Sequence, residues 1–432
     1  AVGAALKFFC RSDSKNLYTR DGLAIVALSW IGISLFGALP FVISGSIPSF
    51  IDAFFETVSG FTTTGASILT DVEALSHGLL FWRSFTHWVG GMGVLVFIMA
   101  VMEKTPERSV NILRAEMPGH NVDKLTPRAS GTAILYYIYL ALTVLETVLL
   151  LCGGMPLFDS IVHALGTAGT GGFGIKADSI ASYSHFCQWV ITVFMLLFGV
   201  SFNMYYLLLI KRWREVLKSN ELKCYLGISL AAMIIIVLSI MPLYGSIADA
   251  VRLSAFQVSS IVTTTGYATA DFDAWPSLAK AVLLILMFFG GCMGSTAGGL
   301  KMSRVTVLAQ IARNDLRHAL RPREVSTVIL NGRRVDAQGE RQILSYFALY
   351  IAVIGAVFLL ISFEPFGIET NFSATVSCVN NIGPGFGQVG PSLSYADYSA
   401  FSKLVLSFAM LLGRLEIYPL LLLLSPQLWT KR

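Results

Sequence analysis

The chain has 432 residues, of which 55% are hydrophobic and 13% are charged, and its formal net charge is +5. This charged fraction is about half that of a typical soluble domain, and the mean hydropathy is +0.68. The six cysteines form no CxxC pair and the six histidines no HExxH spacing, which argues against a disulfide framework or a metalloenzyme. Several apolar runs reach the roughly 20 residues that a helix needs to cross about 30 Å of hydrocarbon. We therefore predict an all-α polytopic membrane protein rather than a large soluble core.

The first part of the chain defines a structural unit. Residues 1–22 are mixed and basic, without the apolar core and cleavage site of a signal peptide. A long apolar run follows at Leu23–Ile43, and then a segment at Ser49–Ser59 that is too short to cross a bilayer. The short segment leads into Val58-Ser-Gly-Phe-Thr-Thr-Thr-Gly65, and the long run Trp82–Met102 completes the unit. Threonines and glycines at such a place expose carbonyls and hydroxyls that a continuous helix would hide.

The unit recurs three times, with loops at Thr167-Ala-Gly-Thr-Gly171, Val262-Thr-Thr-Thr-Gly266 and Val379-Asn-Asn-Ile-Gly383. The segments around these loops, in chain order, are Thr132–Leu151, Leu157–Gly166, Cys187–Ile210, Tyr225–Leu243, Ile247–Ile261, Leu278–Gly290, Ile343–Ile361, Asn371–Cys378 and Phe401–Leu424. An internal repeat constrains the architecture of the whole chain. We predict four helix–pore-loop–helix repeats in a pseudo-fourfold arrangement around one pore, with eight crossings and four half-crossings.

The repeats and the basic residues predict the division and orientation of the chain. The predicted parts are an N-terminal segment (1–22), repeat 1 (23–104), a linker (105–130), repeat 2 (131–212), a linker (213–222), repeat 3 with a broken second helix (223–305), a loop with a hairpin (306–341) and repeat 4 (342–432). Nine lysines and arginines lie between Lys301 and Arg341, whereas residues 44–81 and 364–400 contain none. Because basic loops stay in the cytoplasm, we expect both termini and the connections there, with the pore loops opening outward.

The loop at 306–341 is the one sizeable insertion. Arg313–Arg323 is predicted to form a basic amphipathic extension. Residues 325–335 are predicted to form a β-hairpin that turns at Asn331-Gly332. The insertion is either a docking surface for a cytoplasmic partner or a solvated loop that faces lipid headgroups, and the sequence leaves both readings open.

The four loops have the composition of an ion-binding site. A helix that stops halfway across the membrane points the negative end of its dipole toward the middle of the protein, which favours a cation. Threonine hydroxyls and main-chain carbonyls can replace the water shell of that cation, and glycine permits the positive φ that turns a carbonyl inward. Oxygen dipoles without carboxylates suit a monovalent ion better than a divalent one.

One such loop alone would be an ordinary turn, but four in register indicate an ion filter. The loops are aligned on their final glycines, which are preceded by Thr64, Thr170, Thr265 and Ile382. The candidate filter residues are Thr62, Thr63, Thr64, Gly65, Ala168, Gly169, Thr170, Gly171, Thr263, Thr264, Thr265, Gly266, Asn380, Asn381, Ile382 and Gly383.

A glycine-rich segment interrupts the second long run of repeat 3. Phe289–Gly299 contains five glycines, each of which costs a helix about 1 kcal/mol relative to alanine. A flexible segment inside the membrane could block or open the ion path, although close helix packing through small residues is the alternative. The candidate gate residues are Gly290, Gly291, Gly294, Ser295, Thr296, Gly298 and Gly299, and Lys301 is expected to anchor the segment at the membrane interface.

Arg414 lies in the otherwise apolar run Leu412–Pro419. An arginine within the membrane costs at least about 2.5 kcal/mol, so its side chain should face protein or water. It is either an electrostatic barrier in the cation path, and so part of the gate, or a structural ion pair with another helix. Glu416 is a possible partner of Arg414, although residues two apart on a helix do not face each other.

Together these motifs resemble the ion-conducting subunits of the Trk/Ktr/HKT potassium-transporter superfamily, and most of all its bacterial TrkH group. The resemblance extends over nearly the whole chain and is carried by Gly37–Phe41, Phe55–Ala66, Phe81–Ser84, Trp88–Gly93, Thr170–Phe173, Thr263–Tyr267, Gly294–Gly299 and Asn381–Gly385. It implies one filter glycine per repeat, at positions 65, 171, 266 and 383. It also implies that Gly290–Gly299 is an intramembrane gate and that Arg414 is a positive residue in the ion path.

The resemblance also implies a function. It implies channel-like potassium uptake across the bacterial cytoplasmic membrane, with potassium bound by main-chain carbonyls and no organic cofactor in this chain. The implied partners are a second copy of the chain, membrane lipid and a cytoplasmic nucleotide-binding regulatory subunit of the TrkA or KtrA type, and no nucleic acid. Asn380, Asn381 and Ile382 depart from the threonines of the other loops, so strict potassium selectivity is left open.

Other functional classes fit the sequence less well. A potassium transporter coupled to sodium or proton movement (a symporter) remains the alternative. Secondary transporters with broken helices typically use inverted repeats, whereas the four repeats here run in one orientation. The apolar regions contain no paired carboxylates and no nucleophile–base spacing, so we do not expect an enzyme. A purely structural scaffold would not need four threonine–glycine loops.

Overall fold

The computed structural model describes residues 19–93, 129–324 and 326–429. The predictions for the N-terminal segment up to residue 18, for the connection between repeats 1 and 2 up to residue 128, and for the run Trp82–Met102 beyond Gly93 fall outside these residues. Within them, nearly all regular structure is helical, and the two strands form one small hairpin.

The helices and strands are numbered in chain order through the described residues. Repeat 1 contains α1 (Thr19–Gly37), α2 (Leu39–Ile43), α3 (Phe50–Phe61) and α4 (His77–Met92), and repeat 2 contains α5 (Ala129–Cys152), α6 (Leu157–Gly169), α7 (His185–Phe198) and α8 (Phe202–Leu209). After α9 (Trp213–Leu217), repeat 3 contains α10 (Asn220–Tyr244), α11 (Ile247–Val262) and α12 (Ser277–Leu286). Then follow α13 (Met302–Leu320), β1 (Ile329–Leu330), β2 (Arg333–Arg334), α14 (Ala337–Ile361), α15 (Ile368–Asn380), α16 (Ala400–Arg414), α17 (Tyr418–Leu423) and α18 (Pro426–Trp429).

Each repeat begins with a long apolar helix. The spans Asp21–Ile43, Ile134–Cys152, Asn220–Tyr244 and Ala337–Ile361 are long and apolar enough to cross a membrane. Large apolar side chains on these helices point outward; Leu238 is 69% exposed and Leu359 is 73% exposed. Because such side chains are costly in water, this surface is suited to lipid rather than to solvent.

The second long helix differs from its prediction in repeats 2 and 4. The predicted continuous run Cys187–Ile210 is broken between α7 and α8, which are bent by 89°. The run Phe401–Leu424 is broken after Arg414. In repeat 3, α12 has 10 residues and ends before the glycine-rich segment, so this run is interrupted as predicted. Cys292 donates its N–H to the carbonyl of Gly199 in the α7–α8 break, and this bond provides a partner for a carbonyl that the broken helix leaves free.

The four short helices α3, α6, α11 and α15 have 12 to 16 residues and lie inside the molecule. Each has an acidic residue in its first turn, where the helix dipole favours a negative charge: Asp52, Asp159, Asp249 and Glu369. The last two turns are buried, although they carry many hydroxyl and amide side chains. We call these four helices the pore helices.

Contacts between repeats arrange the pore helices in a ring. The pore helix α6 of repeat 2 packs against α4 of repeat 1, and α11 of repeat 3 packs against α7 of repeat 2. The pore helix α3 of repeat 1 packs against α16 of repeat 4. Phe288 of repeat 3 contacts Phe372 of α15 in repeat 4, with 6.5 Å between their ring centroids. The four repeats therefore follow one another around a central axis.

The insertion before repeat 4 forms the predicted hairpin. Ile329 pairs with Arg334 and Leu330 with Arg333, and the turn residues Asn331 and Gly332 have φ of 49° and 78°. Positive φ at both turn positions is the geometry that the Asn-Gly pair favours. The basic extension is the second half of α13, whose Gln310 is hydrogen bonded to both the N–H and the carbonyl of Ile329.

Candidate functional site

The four loops that follow the pore helices share one backbone conformation. In each, a residue with φ of 55° to 57° is followed by a residue whose N–H returns to the pore helix, and then by a glycine with positive φ. The residues with φ of 55° to 57° are Thr63, Thr170, Thr264 and Asn381. The returning N–H groups are those of Thr64, Gly171, Thr265 and Ile382, which bond to carbonyls five residues earlier at 2.8 to 2.9 Å.

This geometry corrects the predicted alignment in repeat 2. Gly65, Gly266 and Gly383 have φ of 80°, 83° and 102°, and their counterpart is Gly172, with φ of 78°. Gly171 was predicted to be that glycine, but it is equivalent to Thr64, because its N–H bonds to Gly166 as Thr64 bonds to Ser59. The loop of repeat 2 is therefore 169–172 instead of 168–171. Ala168 remains in the pore helix α6.

The four loops form a closed ring. A Cβ added to Gly65 would overlap the carbonyl oxygen of Gly171, and one on Gly172 would overlap that of Thr265. In the same way Gly266 faces the carbonyl of Ile382, and Gly383 faces that of Thr64. Each glycine thus permits the close approach of the next loop's backbone, which a side chain would prevent. We call the carbonyls of Thr64, Gly171, Thr265 and Ile382 the carbonyl ring.

Most of the threonine hydroxyls are held by other protein groups. Thr62 and Thr263 donate to carbonyls of their pore helices at 2.7 and 2.6 Å and also contact the hydroxyls of Thr64 and Thr265. Thr64 also accepts a bond from the Asn381 amide at 3.0 Å, so the divergent fourth loop is tied to the first. The hydroxyls thus brace the loops, and main-chain carbonyls are the groups best placed to meet an ion.

A cavity of about 260 Å³ opens onto the ring, and its lining includes Gly65, Gly172, Gly266 and Gly383. Arg83, at the edge of this cavity, pairs with the buried Glu56 at 2.8 Å and donates to the Gly174 carbonyl at 3.1 Å. The pair neutralises two buried charges, and Arg83 joins repeat 1 to the backbone that follows the second loop.

The glycine-rich segment is not part of the lining of this cavity and contacts the loops elsewhere. The chain between α12 and α13 is irregular, and Gly290 donates to the Leu300 carbonyl at 2.9 Å. Gly298 donates its N–H to the hydroxyl of Thr264 at 2.6 Å, and a Cβ on Gly298 would approach the Asn380 carbonyl to 2.5 Å. The segment thus contacts two of the four loops directly. Lys301, predicted to be an interfacial anchor, is instead buried and donates to the Ala297 carbonyl.

Arg414 joins three parts of the site. Its guanidinium donates to the Thr63 hydroxyl at 3.3 Å, to the Thr296 carbonyl at 2.8 Å and to the carbonyls of Gly90 and Gly91 at the end of α4. Because arginine remains charged at all accessible pH values, a fixed positive charge lies beside the first loop and the glycine-rich segment. The carbonyls of Gly90 and Gly91 were not predicted to take part.

Glu416, predicted as a possible neighbour of Arg414, pairs with Arg304 of α13 instead. Glu416 and Ile417 have φ of 54° and 70° in the break between α16 and α17. A positive φ is strained for a β-branched residue, and such strain tends to occur at functional sites. The turn directs the Glu416 carboxylate to α13, and Arg304 also lies over the ring of Tyr346, 3.9 Å from its centroid.

Glu221, which the sequence analysis did not single out, holds the glycine-rich segment from both sides. One of its carboxyl oxygens accepts the N–H of Met293 at 2.6 Å and that of Ser303 at 3.1 Å. The Asn331 side chain in the hairpin turn accepts from Ser219 at 3.0 Å and from the Glu221 N–H at 3.4 Å. The hairpin and the glycine-rich segment thus meet at the start of α10.

A ring of four re-entrant loops inside spanning helices defines an integral membrane protein with one central, channel-like pore. The family model described as "TrkH: Cation transport protein" matches residues 1–431, and the chain belongs to this family of transporters, which are not enzymes. The Trk system potassium uptake protein TrkH of Salmonella typhimurium is 34% identical over 99% of this chain and 90% of its own length. The TrkG protein of Escherichia coli K12 is 33% identical, over 99% and 89%. A crystal structure of the potassium transporter TrkH from Vibrio parahaemolyticus has a TM-score of 0.88 at 32% identity and covers 99% of this chain and 90% of that one.

Proposed function

We propose that this protein takes up potassium across the bacterial inner membrane through the carbonyl ring. The closed contact of the four loops, glycine to carbonyl, is the observation that carries the proposal. The ion would be held by main-chain carbonyls of 62–65, 169–172, 263–266 and 380–383. We assign potassium as this ion because the named relatives are potassium uptake proteins.

The charges around the ring support a monovalent cation as the cargo. Each pore helix directs its carbonyl end, with roughly half a negative charge, toward the ring. The four loops contain no carboxylate, so the attraction comes from dipoles alone. Such a site suits an ion that gives up its water shell readily, whereas divalent ions usually recruit Asp or Glu.

The gate in this proposal consists of the glycine-rich segment Gly290–Gly299 and Arg414. The segment contacts the third and fourth loops through Gly298, and Arg414 bonds to it through the Thr296 carbonyl. A guanidinium in this position repels a cation that leaves the ring. Conduction would require the segment and Arg414 to move apart, and the breaking of their hydrogen bonds sets the cost of opening.

Control would come from a cytoplasmic nucleotide-binding subunit that docks on the hairpin. This part of the proposal is based on Asn331 in the hairpin turn, which accepts hydrogen bonds from Ser219 and from the Glu221 N–H. The carboxyl group of Glu221 in turn holds the glycine-rich segment. A partner that displaces the hairpin would disturb these bonds. The proposal also includes a homodimer, cytoplasmic termini and the eight-part division of the chain given by the repeats.

Ion flux into liposomes that contain the purified chain tests this function. We expect potassium flux to exceed sodium flux, and the Gly172→Ala variant to lose that preference because its Cβ overlaps the Thr265 carbonyl. Gly154→Ala is the matched control, since Gly154 also has positive φ, at 84°, but no atom lies within 4 Å of its added Cβ. A Gly172→Ala variant that folds and keeps its selectivity would contradict the proposal. A strict requirement for a second ion gradient would indicate coupled transport.

A further inference from the structure

A buried carboxyl group in repeat 2 plays no part in the proposed pore. Glu146 lies on the spanning helix α5 and is fully buried. Neither of its carboxyl oxygens has a hydrogen-bond partner among the described residues, and no ion pair there includes it. An isolated carboxylate in an apolar interior is very costly unless it binds a compensating ion. An ionised Glu146 would therefore need a bound positive ligand to offset its charge.

A row of polar groups leads from the surface toward Glu146. Asp159 and His163 are four residues apart on the pore helix α6 and so share one face. Asp159 is partly exposed and accepts a bond from the Tyr183 hydroxyl at 2.8 Å. That hydroxyl lies 3.4 Å from Nε2 of His163, and Nδ1 of His163 lies 3.4 Å from the hydroxyl of Tyr267. Groups that both donate and accept therefore follow one another from the surface into the interior.

Thr167, one turn further along the same face, completes the row. Its hydroxyl donates to the His163 carbonyl at 2.8 Å, and its side chain lies beside both Tyr267 and Glu146. Hydroxyls and imidazoles can each accept one proton and release another. Hydrogen-bonding groups therefore extend from Asp159 to the side chains beside Glu146, and the last step to its carboxyl group is not bridged by a hydrogen bond in this structure.

The same positions in repeat 1 are built differently. The loop alignment makes Asp52 and Glu56 equivalent to Asp159 and His163. Asp52 pairs with Lys403 at 2.7 Å, and Glu56 pairs with Arg83 at 2.8 Å. Fixed cations neutralise the carboxylates of repeat 1, whereas repeat 2 presents phenols and an imidazole. Because no fixed cation occupies these positions in repeat 2, a positive ligand that enters and leaves can bind there.

We propose that Glu146 is a proton-binding site that is loaded from the surface at Asp159 through Tyr183, His163 and Tyr267. In each transfer a group gains one proton and passes one on, so the net change is a carboxylate plus a proton giving a carboxylic acid. The titratable and charged groups around the route are Tyr136 and Tyr139 on α5, Arg83 on α4, His163 on α6, Asp178 and Cys187 beside Tyr183, Tyr267 after α11, and Arg414 on α16. Lys176 lies over the Tyr183 ring at the entrance, 4.2 Å from its centroid.

A proton fits this site better than a metal ion. A dehydrated metal ion needs several oxygen ligands at once, but the side-chain oxygens near Glu146 are the hydroxyls of Thr167, Tyr267 and Tyr139. No cluster of three or more His, Cys, Asp or Glu suited to a metal occurs in residues 19–93, 129–324 and 326–429. A proton needs only the carboxyl oxygen itself.

Infrared difference spectroscopy of the purified full-length chain in liposomes tests the proposal without measuring ion flux. The wild type should show the C=O stretch of a buried protonated carboxylic acid, and Glu146→Gln should abolish that band. The control Glu215→Gln removes an exposed glutamate and should leave the band in place. In His163→Phe the band should remain, but its deuterium exchange should slow about a hundredfold, as expected when a positioned proton-transfer group is lost.

Three results would overturn the proposal. The band could persist unchanged in Glu146→Gln, it could be absent from the folded wild type across the neutral pH range, or it could exchange in His163→Phe as fast as in the wild type. If Glu146→Gln does not fold, Glu146→Asp replaces it in the infrared measurement. It keeps the acid in a new position, so the band should shift in frequency, and an unshifted band would count against Glu146.

Discussion

Glu221 offers a direct test of how the gate is held. Its carboxyl accepts two N–H groups, one from Met293 within the glycine-rich segment and one from Ser303 just after it, at 2.6 and 3.1 Å. A net contribution of about 1.5 kcal/mol per bond gives about 3 kcal/mol, or roughly a 150-fold change in the gating equilibrium. We therefore expect Glu221→Ala to raise ion flux substantially in the absence of any partner.

The assay is potassium flux into liposomes at matched protein density, with folding checked by thermal unfolding. Glu221→Gln is the matched control, because the amide oxygen still accepts from the same N–H groups and the side chain keeps its length. Its flux should lie between those of the wild type and Glu221→Ala. If folded Glu221→Ala conducts no faster than the wild type, then Glu221 does not restrain the gate and the reasoning fails.

Three further predictions concern the ring and the gate. Gly65→Ser should weaken discrimination among monovalent cations, because its Cβ would overlap the Gly171 carbonyl. The control is Gly45→Ser, since Gly45 also has positive φ but has open space around its added Cβ. If flux assays give both variants the same selectivity, Gly65 does not have this role. Deletion of Gly290–Gly299 should raise flux by removing the barrier below the ring, and lower flux from folded protein would eliminate the segment as a gate. Arg414→Ala should raise conductance because a fixed positive charge is lost; single-channel recordings identical to the wild type would leave Arg414 only a structural role.

The architecture was predictable because it depends on local composition. Each repeat's first long apolar run, the four short segments and the Asn331-Gly332 turn have a signal within a few residues, and they occur close to their predicted places. The breaks after Phe198 and Arg414 were not predicted, although Gly199 and Pro419 lie close to them. They depend on contacts with distant parts of the chain, such as the bond from Cys292 to Gly199.

The errors at the site have equally specific causes. Repeat 2 reads Thr170-Gly171-Gly172, and two adjacent glycines leave the alignment ambiguous by one residue until the backbone shows which has positive φ. The partners Arg304 and Glu416 are separated by 112 positions, and Glu221 reaches Met293 across 72. Sequence spacing carries no information about such contacts, so Glu221 was missed and Arg304 was not recognised as the partner of Glu416.

The central claim is that an ion occupies the carbonyl ring, and a crystal grown in rubidium tests it most directly. Rubidium is a potassium-like ion that can be located by its anomalous scattering. The proposed function predicts an anomalous peak on the axis, in contact with the carbonyls of Thr64, Gly171, Thr265 and Ile382, and its loss in Gly172→Ala. A map with no peak at these four carbonyls, or with rubidium bound only elsewhere, would contradict the claim.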